Sequence, residues 1–168
     1  MKKKYFMFLV LTALMVPIVF SGGDKLQASY GTCGIQEYHK TKLDSLQING
    51  IVTLDETTVL GAVQVNGQAE MKKSCIGGKM VMNGLLTAAD TEFQSELSVA
   101  SKKTTLEGCL VHSITVRETG DEGVEVVDLR KETIVSGSVI FESGQGEVWL
   151  SGDSAVKGEI RGAKVCIK

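Results

Sequence analysis

The side chains of this chain that could take part in chemistry are four cysteines, two histidines and a cluster of carboxylates. His39 and His112 lie far apart, and neither has near it the Cys, Ser or Asp arrangement that marks a nucleophile and its base. A zinc site usually contains two close pairs of ligands, whereas the cysteines are widely spread. They are Cys33, Cys75, Cys109 and Cys166. We predict no catalytic residue, cofactor or metal ligand, and a protein that is not an enzyme.

The carboxylates are concentrated in an irregular segment at 117–132. They are Glu118, Asp121, Glu122, Glu125 and Asp128. Paired carboxylates carry out acid–base chemistry in glycan lyases and hydrolases, which is the enzymatic alternative here. Their spacing matches no calcium loop, so we interpret the segment as an acidic loop, with cation binding as the other alternative.

A repeat organises the rest of the chain and must position these side chains. The pattern apolar-x-apolar-Asn-Gly occurs at 46–50, 63–67 and 80–84, so each occurrence begins at a constant step of 17 in residue number. The same counting reaches apolar residues near 97, 114, 148 and 165 and fails only near 131. A fixed period of this kind indicates a stack of structural repeats.

Within each period, apolar and polar residues alternate in short runs, which is typical of β-strands. One proline, 19 glycines and many Val, Ile and Thr residues favour strands joined by tight bends. We predict an all-β, single-stranded parallel β-helix, or β-solenoid, over 45–168. It should have about 17 residues per coil and about seven coils.

The repeat also predicts which side chains point inward, in columns that run along the solenoid. The first column is Leu46, Val63, Met80, Leu97, Ile114, Val148 and Val165. The second is Ile48, Val65, Met82, Val99, Val116, Leu150 and Ile167. The third is Val59, Ile76, Phe93, Leu110 and Val127. Glu122 falls in the inward column of Leu54, Met71 and Ala88, where an unpaired charge is costly. We therefore expect the acidic loop to bulge, with Val124, Val126 and Leu129 repacking.

The recurring Asn-Gly pairs predict a corner of the coil. They are Asn49, Gly50, Asn66, Gly67, Asn83 and Gly84. Asn-Gly suits positive φ, and stacked Asn amides can form a hydrogen-bonded ladder. We predict a structural corner ladder, and an amide-lined ligand groove is the alternative.

The four cysteines permit two disulfides. Cys75 and Cys109 are two periods apart and are predicted to point outward, about 9.6 Å from each other. That separation exceeds the Cα distance of about 4.4–6.8 Å in a disulfide, so they should not bond. A bond between Cys33 and Cys75 is geometrically easier, and a head-to-tail bond between chains, from Cys33 to Cys166, is the alternative.

The N-terminus predicts an export signal over 1–22. Three lysines precede an apolar run at 5–20, and Ser21, Gly22 and Gly23 supply small residues for cleavage. Cleavage after Ala28 and an uncleaved membrane anchor are the alternatives, although the run is shorter than the roughly 20 residues of a span. We expect export to the periplasm, the cell envelope or the extracellular space, with no transmembrane span after signal removal. Residues 23–44 are a candidate cap for the first coil, and a disordered linker after the signal is the alternative.

The remaining features concern partners. A net charge of −2 predicts no nucleic-acid partner. Val165 to Ile167 read as a strand with no cap after it, so we expect self-association through the solenoid ends, and hence a homo-oligomer. The alternative is a module that binds an envelope or host-surface glycan through the outward-facing Trp149.

The coils resemble those of bactofilins, polymer-forming bacterial β-helix proteins. The resemblance rests on the short coils, the Asn-Gly pattern and Val-x-Gly-x-Val/Ile units at 59–63 and 156–160. It covers residues 46–168 and implies the fold of a short-coil parallel β-helix.

Overall fold

A computed structural model of the chain describes residues 18–21, 27–120 and 123–168. These residues form 17 strands, all paired in parallel in one sheet that winds as a β-solenoid of about eight turns. The predicted all-β parallel β-helix is confirmed. No helix in the described part of the chain has the length and apolar character to cross a membrane.

The strands are between two and 14 residues long, and the longest of them lie in the first half of the chain. The first nine are β1 (Ile18–Ser21), β2 (Gln27–His39), β3 (Lys42–Asp55), β4 (Thr58–Val59), β5 (Val63–Lys72), β6 (Cys75–Ile76), β7 (Met80–Ala89), β8 (Glu92–Ala100) and β9 (Lys103–Glu107). The others are β10 (Leu110–Val116), β11 (Val126–Arg130), β12 (Ile134–Val135), β13 (Val139–Phe141), β14 (Gly146–Leu150), β15 (Ala155–Val156), β16 (Ile160–Arg161) and β17 (Ala163–Ile167).

The first coils repeat at the predicted period of 17. Leu46 pairs with Val63, Val63 with Met80, and Met80 with Leu97, so each partner lies one full period further along the chain. All four side chains are buried. The alternation of apolar and polar residues therefore sets which side chains enter the core, as the period predicts.

The expected continuation of the first two columns is wrong. Ile114 pairs with Val139 rather than with position 131, and Val139 pairs with Ile160 rather than with position 156. These longer coils shift the phase, so steps of 17 from Ile114 land on a different face. Val148 and Val165 instead lie in the column of Val52, and Leu150 and Ile167 lie in the column of Leu54.

The third predicted column is also wrong at its end. The coil that follows Phe93 is longer by a single residue than the coils before it, so Val111 pairs with Phe93 and is buried. Leu110 therefore points outward and is 53% exposed. Val127 is buried, but on the face of Val52. One additional residue is enough to reverse the direction of a side chain in a strand.

One corner of the coil contains a column of buried hydroxyl and thiol groups. The residue before each one has positive φ, as at Glu56 (50°), Lys73 (48°) and Asp90 (49°). The column consists of Thr57, Ser74, Thr91, Cys109 and Thr133. The backbone N–H of Thr57 donates to Ser74 Oγ at 3.1 Å, and that of Cys109 donates to Thr133 Oγ1 at 3.1 Å. The prediction that Cys109 points outward is wrong, because it takes the place of a hydroxyl in this buried column.

The segment proposed as a cap contains β2, which pairs in parallel with β3 from Gln27 to His39. It thus covers the edge of β3 as one more coil. β1 pairs in turn with residues 36–39 of β2. Residues 1–17 and 22, which complete the predicted export signal, lie outside the described residues.

The close packing at the Asn-Gly corner predicts a large loss of stability when one of its glycines is replaced. A Cβ on Gly67 would lie 2.1 Å from the Gly50 carbonyl oxygen, at φ 139°. We expect Gly67→Ala to lower the free energy of unfolding by at least about 2 kcal/mol. Gly34→Ala is the matched control, because Gly34 has φ 107° but nothing within 4 Å of the added Cβ. Urea unfolding of both variants measures the difference, and equal losses would contradict the role of close coil packing.

Candidate functional site

The asparagines at 49, 66 and 83 form a hydrogen-bonded ladder along one corner. Asn66 Nδ2 donates to Asn49 Oδ1 at 2.7 Å, and Asn83 Nδ2 donates to Asn66 Oδ1 at 2.5 Å. The glycines after them have φ between 126° and 147°, which only glycine adopts readily. Each amide thus links two coils, and the ladder has a direction, with the Asn83 oxygen as its last acceptor.

Arg117 supplies the donor at that end of the ladder. Its Nη2 lies 2.5 Å from Asn83 Oδ1 and 3.1 Å from the Met82 carbonyl oxygen. The coil between them contributes Ala100, which pairs with Asn83. The repeat pattern gives no signal for Arg117, because its contact joins residues two coils apart where the Asn-Gly pattern has already ended.

The alternative of an amide-lined groove fits this geometry poorly. A groove of about 530 Å³ does lie beside Asn83, between Leu85 and Lys103. However, the Asn83 amide donates to Asn66 and accepts from Arg117. The amide groups of the ladder therefore hydrogen-bond to each other and to Arg117.

The acidic loop contains two buried carboxylates, and both have partners. Glu125 accepts a hydrogen bond from Ser143 Oγ at 2.8 Å. Asp128 lies 2.6 Å from Arg130 Nη2 and 3.3 Å from Lys103 Nζ. Within residues 27–120 and 123–168, no three His, Cys, Asp or Glu side chains are grouped to hold a metal ion.

The inward position expected for Glu122 belongs to other residues. Ala88 pairs with Leu106 and Leu106 with Leu129, so these leucines continue the column of Leu54. Glu122 and Asp121 lie outside the described residues. Leu129 is buried and Val124 is 46% exposed, so of the side chains expected to repack, Leu129 does and Val124 does not.

The pKa of Asp128 is lowered in the folded chain. Burial alone would raise it, but hydrogen bonds and charge attraction from Arg130 and Lys103 outweigh burial. A lowered pKa means that these ion pairs stabilise the fold fully above the ordinary aspartate pKa of about 3.9. Their contribution is lost as the pH falls below that value.

Asp128→Asn should therefore destabilise the protein in a pH-dependent way. At pH 7 we expect a loss of about 1–2 kcal/mol, because both cationic partners are half-exposed. The difference from wild type should shrink between about pH 4 and pH 2. Glu159→Gln is the control, because Glu159 pairs with Arg161 at 2.7 Å on the surface. Thermal melts across pH measure both, and a constant difference for Asp128→Asn would contradict this assignment.

All four cysteines are free thiols within the chain, so the bond between Cys33 and Cys75 is not present. Cys33 pairs with Asn49 at the Asn-Gly corner, whereas Cys75 follows a different corner and pairs with Thr58 and Glu92. The coil thus separates the pair that sequence analysis favoured. Cys75 and Cys109 are unbonded as expected, although the reason differs, since Cys109 is buried.

The cysteines should react with maleimide at very different rates. Burial raises the pKa of the Cys109 thiol, whose Sγ lies 3.3 Å from the Glu107 carbonyl oxygen. Cys33 is exposed and should be labelled within minutes at pH 7. Cys109 should react only after unfolding, at a rate that follows denaturant concentration. Mass spectrometry of the labelled peptides gives both rates, with Cys109→Ser as the control; fast labelling of Cys109 in the folded protein would contradict its position.

Trp149 points outward, as the parity of the repeat predicts. Its Nε1 donates to Glu147 Oε2 at 2.8 Å. The Lys168 ammonium lies 3.0 Å from the ring centroid and that of Lys103 lies 5.2 Å away. A sugar that stacked on the face under Lys168 would have to displace that ammonium group.

The last described coil presents apolar side chains that no other described strand covers. β17 pairs with β14, β15 with β12 and β16 with β13, each on one side only among the described residues. Val165 is 48% exposed and Ile167 is 86% exposed, although both continue inward columns. The candidate functional surface is therefore this end of the solenoid, which we call the β17 end.

Comparisons with known proteins assign no family to the chain. No family model, no curated protein and no solved structure matches it.

Proposed function

We propose that this protein is a non-enzymatic structural β-solenoid that associates end to end with further copies of itself. The observation that carries the proposal is the β17 end, where Val165 and Ile167 extend two inward columns but remain exposed. Open strand edges with apolar side chains pair readily with other strands. Covering this end would bury both side chains and satisfy the edge of β17.

A second copy of this chain is the partner that fits. Coil stacking already joins near-identical cross-sections within the chain, with Leu129, Leu150 and Ile167 in successive coils of one column. Another coil of the same outline would continue the column without any new kind of contact. Stacking of the two unlike ends does not close on itself, so it gives a filament.

Two features of the sequence support this proposal. The coil patterns resemble those of bactofilins, which form polymers. The positively charged and apolar N-terminal stretch favours export, so we propose that assembly takes place in the periplasm, in the cell envelope or outside the cell.

Ile167→Lys should reduce assembly without unfolding the chain. A charge placed at the β17 end would have to be buried on stacking, which is costly. We expect the mean mass from light scattering, measured in reducing buffer across a concentration series, to fall toward that of one chain. Because Ile167 is exposed in the single chain, the free energy of unfolding should change by less than about 0.5 kcal/mol.

Leu110→Lys is the matched control for this experiment. Leu110 is an exposed apolar side chain, like Ile167, but it lies on the side of the solenoid and pairs with Glu92 and Ile134 on both sides. The mass distribution of the Leu110→Lys variant should equal that of wild type. A wild-type protein that stays monomeric at all concentrations after removal of residues 1–22 would overturn the proposed function, and an equal effect of both variants would exclude the β17 end.

A further inference from the structure

The two ends of the solenoid carry strands that are equivalent by register. Through successive pairings, one inward column runs from Gln36 to Val165 and a second from Tyr38 to Ile167. At the other end, β1 pairs Ile18 with Gln36 and Phe20 with Tyr38. By backbone register, β1 and β17 are thus the first and last strands on the same face of the solenoid.

We propose that residues 36–39 of β2 form the docking edge for β17 of a second copy, and that β1 occupies this edge until it is displaced or removed. This inference rests on the proposed function and names the surface that receives the β17 end. The register seats Val165 of the partner over Gln36, and Ile167 of the partner over Tyr38. Both strands have the pattern apolar-x-apolar at these positions, so β17 can replace β1 without a change of register.

The edge under β1 has a feature that favours exchange. Gln36 is 3% exposed in a column that is otherwise apolar apart from Thr104, and its Oε1 has no hydrogen-bond partner among the described residues. A buried amide oxygen without a donor is destabilising, and it regains water when the edge opens. β1 is therefore bound to this edge less firmly than it would be if the column of Gln36 were apolar at this position.

The location of β1 connects exchange to processing. Ile18–Ser21 lies within the segment 1–22 that the sequence predicts as an export signal. Removal of that segment would take away β1 and leave residues 36–39 open. The precursor would then carry a covered docking edge and the processed chain an open one, so assembly would follow processing.

Outward positions of the same strands provide a direct test. One outward column runs from Glu37 through Thr53 and Glu70 to Cys166. In the proposed contact, Cys166 of one copy lies beside Glu37 of the next at the strand spacing of about 4.8 Å, within disulfide range. Within one chain the two positions are separated by roughly 34 Å, so a bond between them must join two copies.

The experiment uses the full chain with Cys33→Ser and Glu37→Cys. Diamide is the oxidant, and it takes up the two protons and two electrons that the thiols release. We expect a disulfide from residue 37 to Cys166 of another copy, identified by peptide mapping. Glu70→Cys is the matched control, since Glu70 lies in the same column but between two coils; it should give at least ten-fold less crosslinked product.

A second variant tests whether β1 guards the edge. Val19→Pro with Phe20→Pro removes two consecutive N–H groups of β1, one of which must face β2 because they alternate in direction. Added to the Glu37→Cys chain, these changes should raise the crosslinking rate at least five-fold. The same rate with and without them would overturn the guarding role of β1.

The outcomes separate this inference from the proposed function. If the chain assembles by light scattering but Glu37→Cys, combined with Val19→Pro and Phe20→Pro, gives no bond to Cys166, the docking edge is not residues 36–39, while end-to-end association stands. If neither the full chain nor the chain with Val19→Pro and Phe20→Pro assembles, both fail. A bond from wild-type Cys33 to Cys166 would also overturn the register, because Cys33 precedes Glu37 by roughly 13 Å along β2.

Discussion

The parallel pairing of each coil with the next is the interaction on which the rest of this structure depends. In the described part of the chain, the residues of one coil pair with residues of the coil before or after it. A single coil has no interior, so the burial of Leu46, Val63 and Met80 exists only because their coils are stacked. The register of the strands therefore decides which side chains form the core, and a shift by one residue would turn every inward side chain outward.

The corners maintain that register where the strands alone would not. Gly50, Gly67 and Gly84 let the backbone of one coil approach the carbonyl oxygen of the previous coil. At another corner, the buried hydroxyls accept backbone N–H groups from the neighbouring coil. Arg117 then completes the amide ladder at the point where the coil length changes. The polar groups at these corners thus form hydrogen bonds between coils.

The sequence predicted the coil length, the strand class and the Asn-Gly ladder, because all three follow from short-range patterns that repeat. It did not predict the columns beyond Val116, because counting in steps of 17 assumes that every coil is equally long. The true coil lengths follow from a different motif, in which a buried corner residue is followed by any residue and then by an apolar one. This motif occurs at 57–59, 74–76, 91–93, 109–111 and 133–135. The step between these corners lengthens before Cys109 and again before Thr133, which places Cys109 inside and Leu110 outside.

The distribution of unmet interactions argues that function resides at the ends of the solenoid. On its sides, several charges have partners, as Asp128 has Arg130 and Lys103, and Glu96 has Lys79 at 2.8 Å. At the β17 end, Ile167 belongs to a column that is buried in the coils before it, yet it is the most exposed large apolar side chain described. Because stacking buries the apolar columns of this fold, a coil with an uncovered outer face keeps apolar surface that stacking on another copy would bury. The contact that the ends can make is therefore the contact that already holds the interior together.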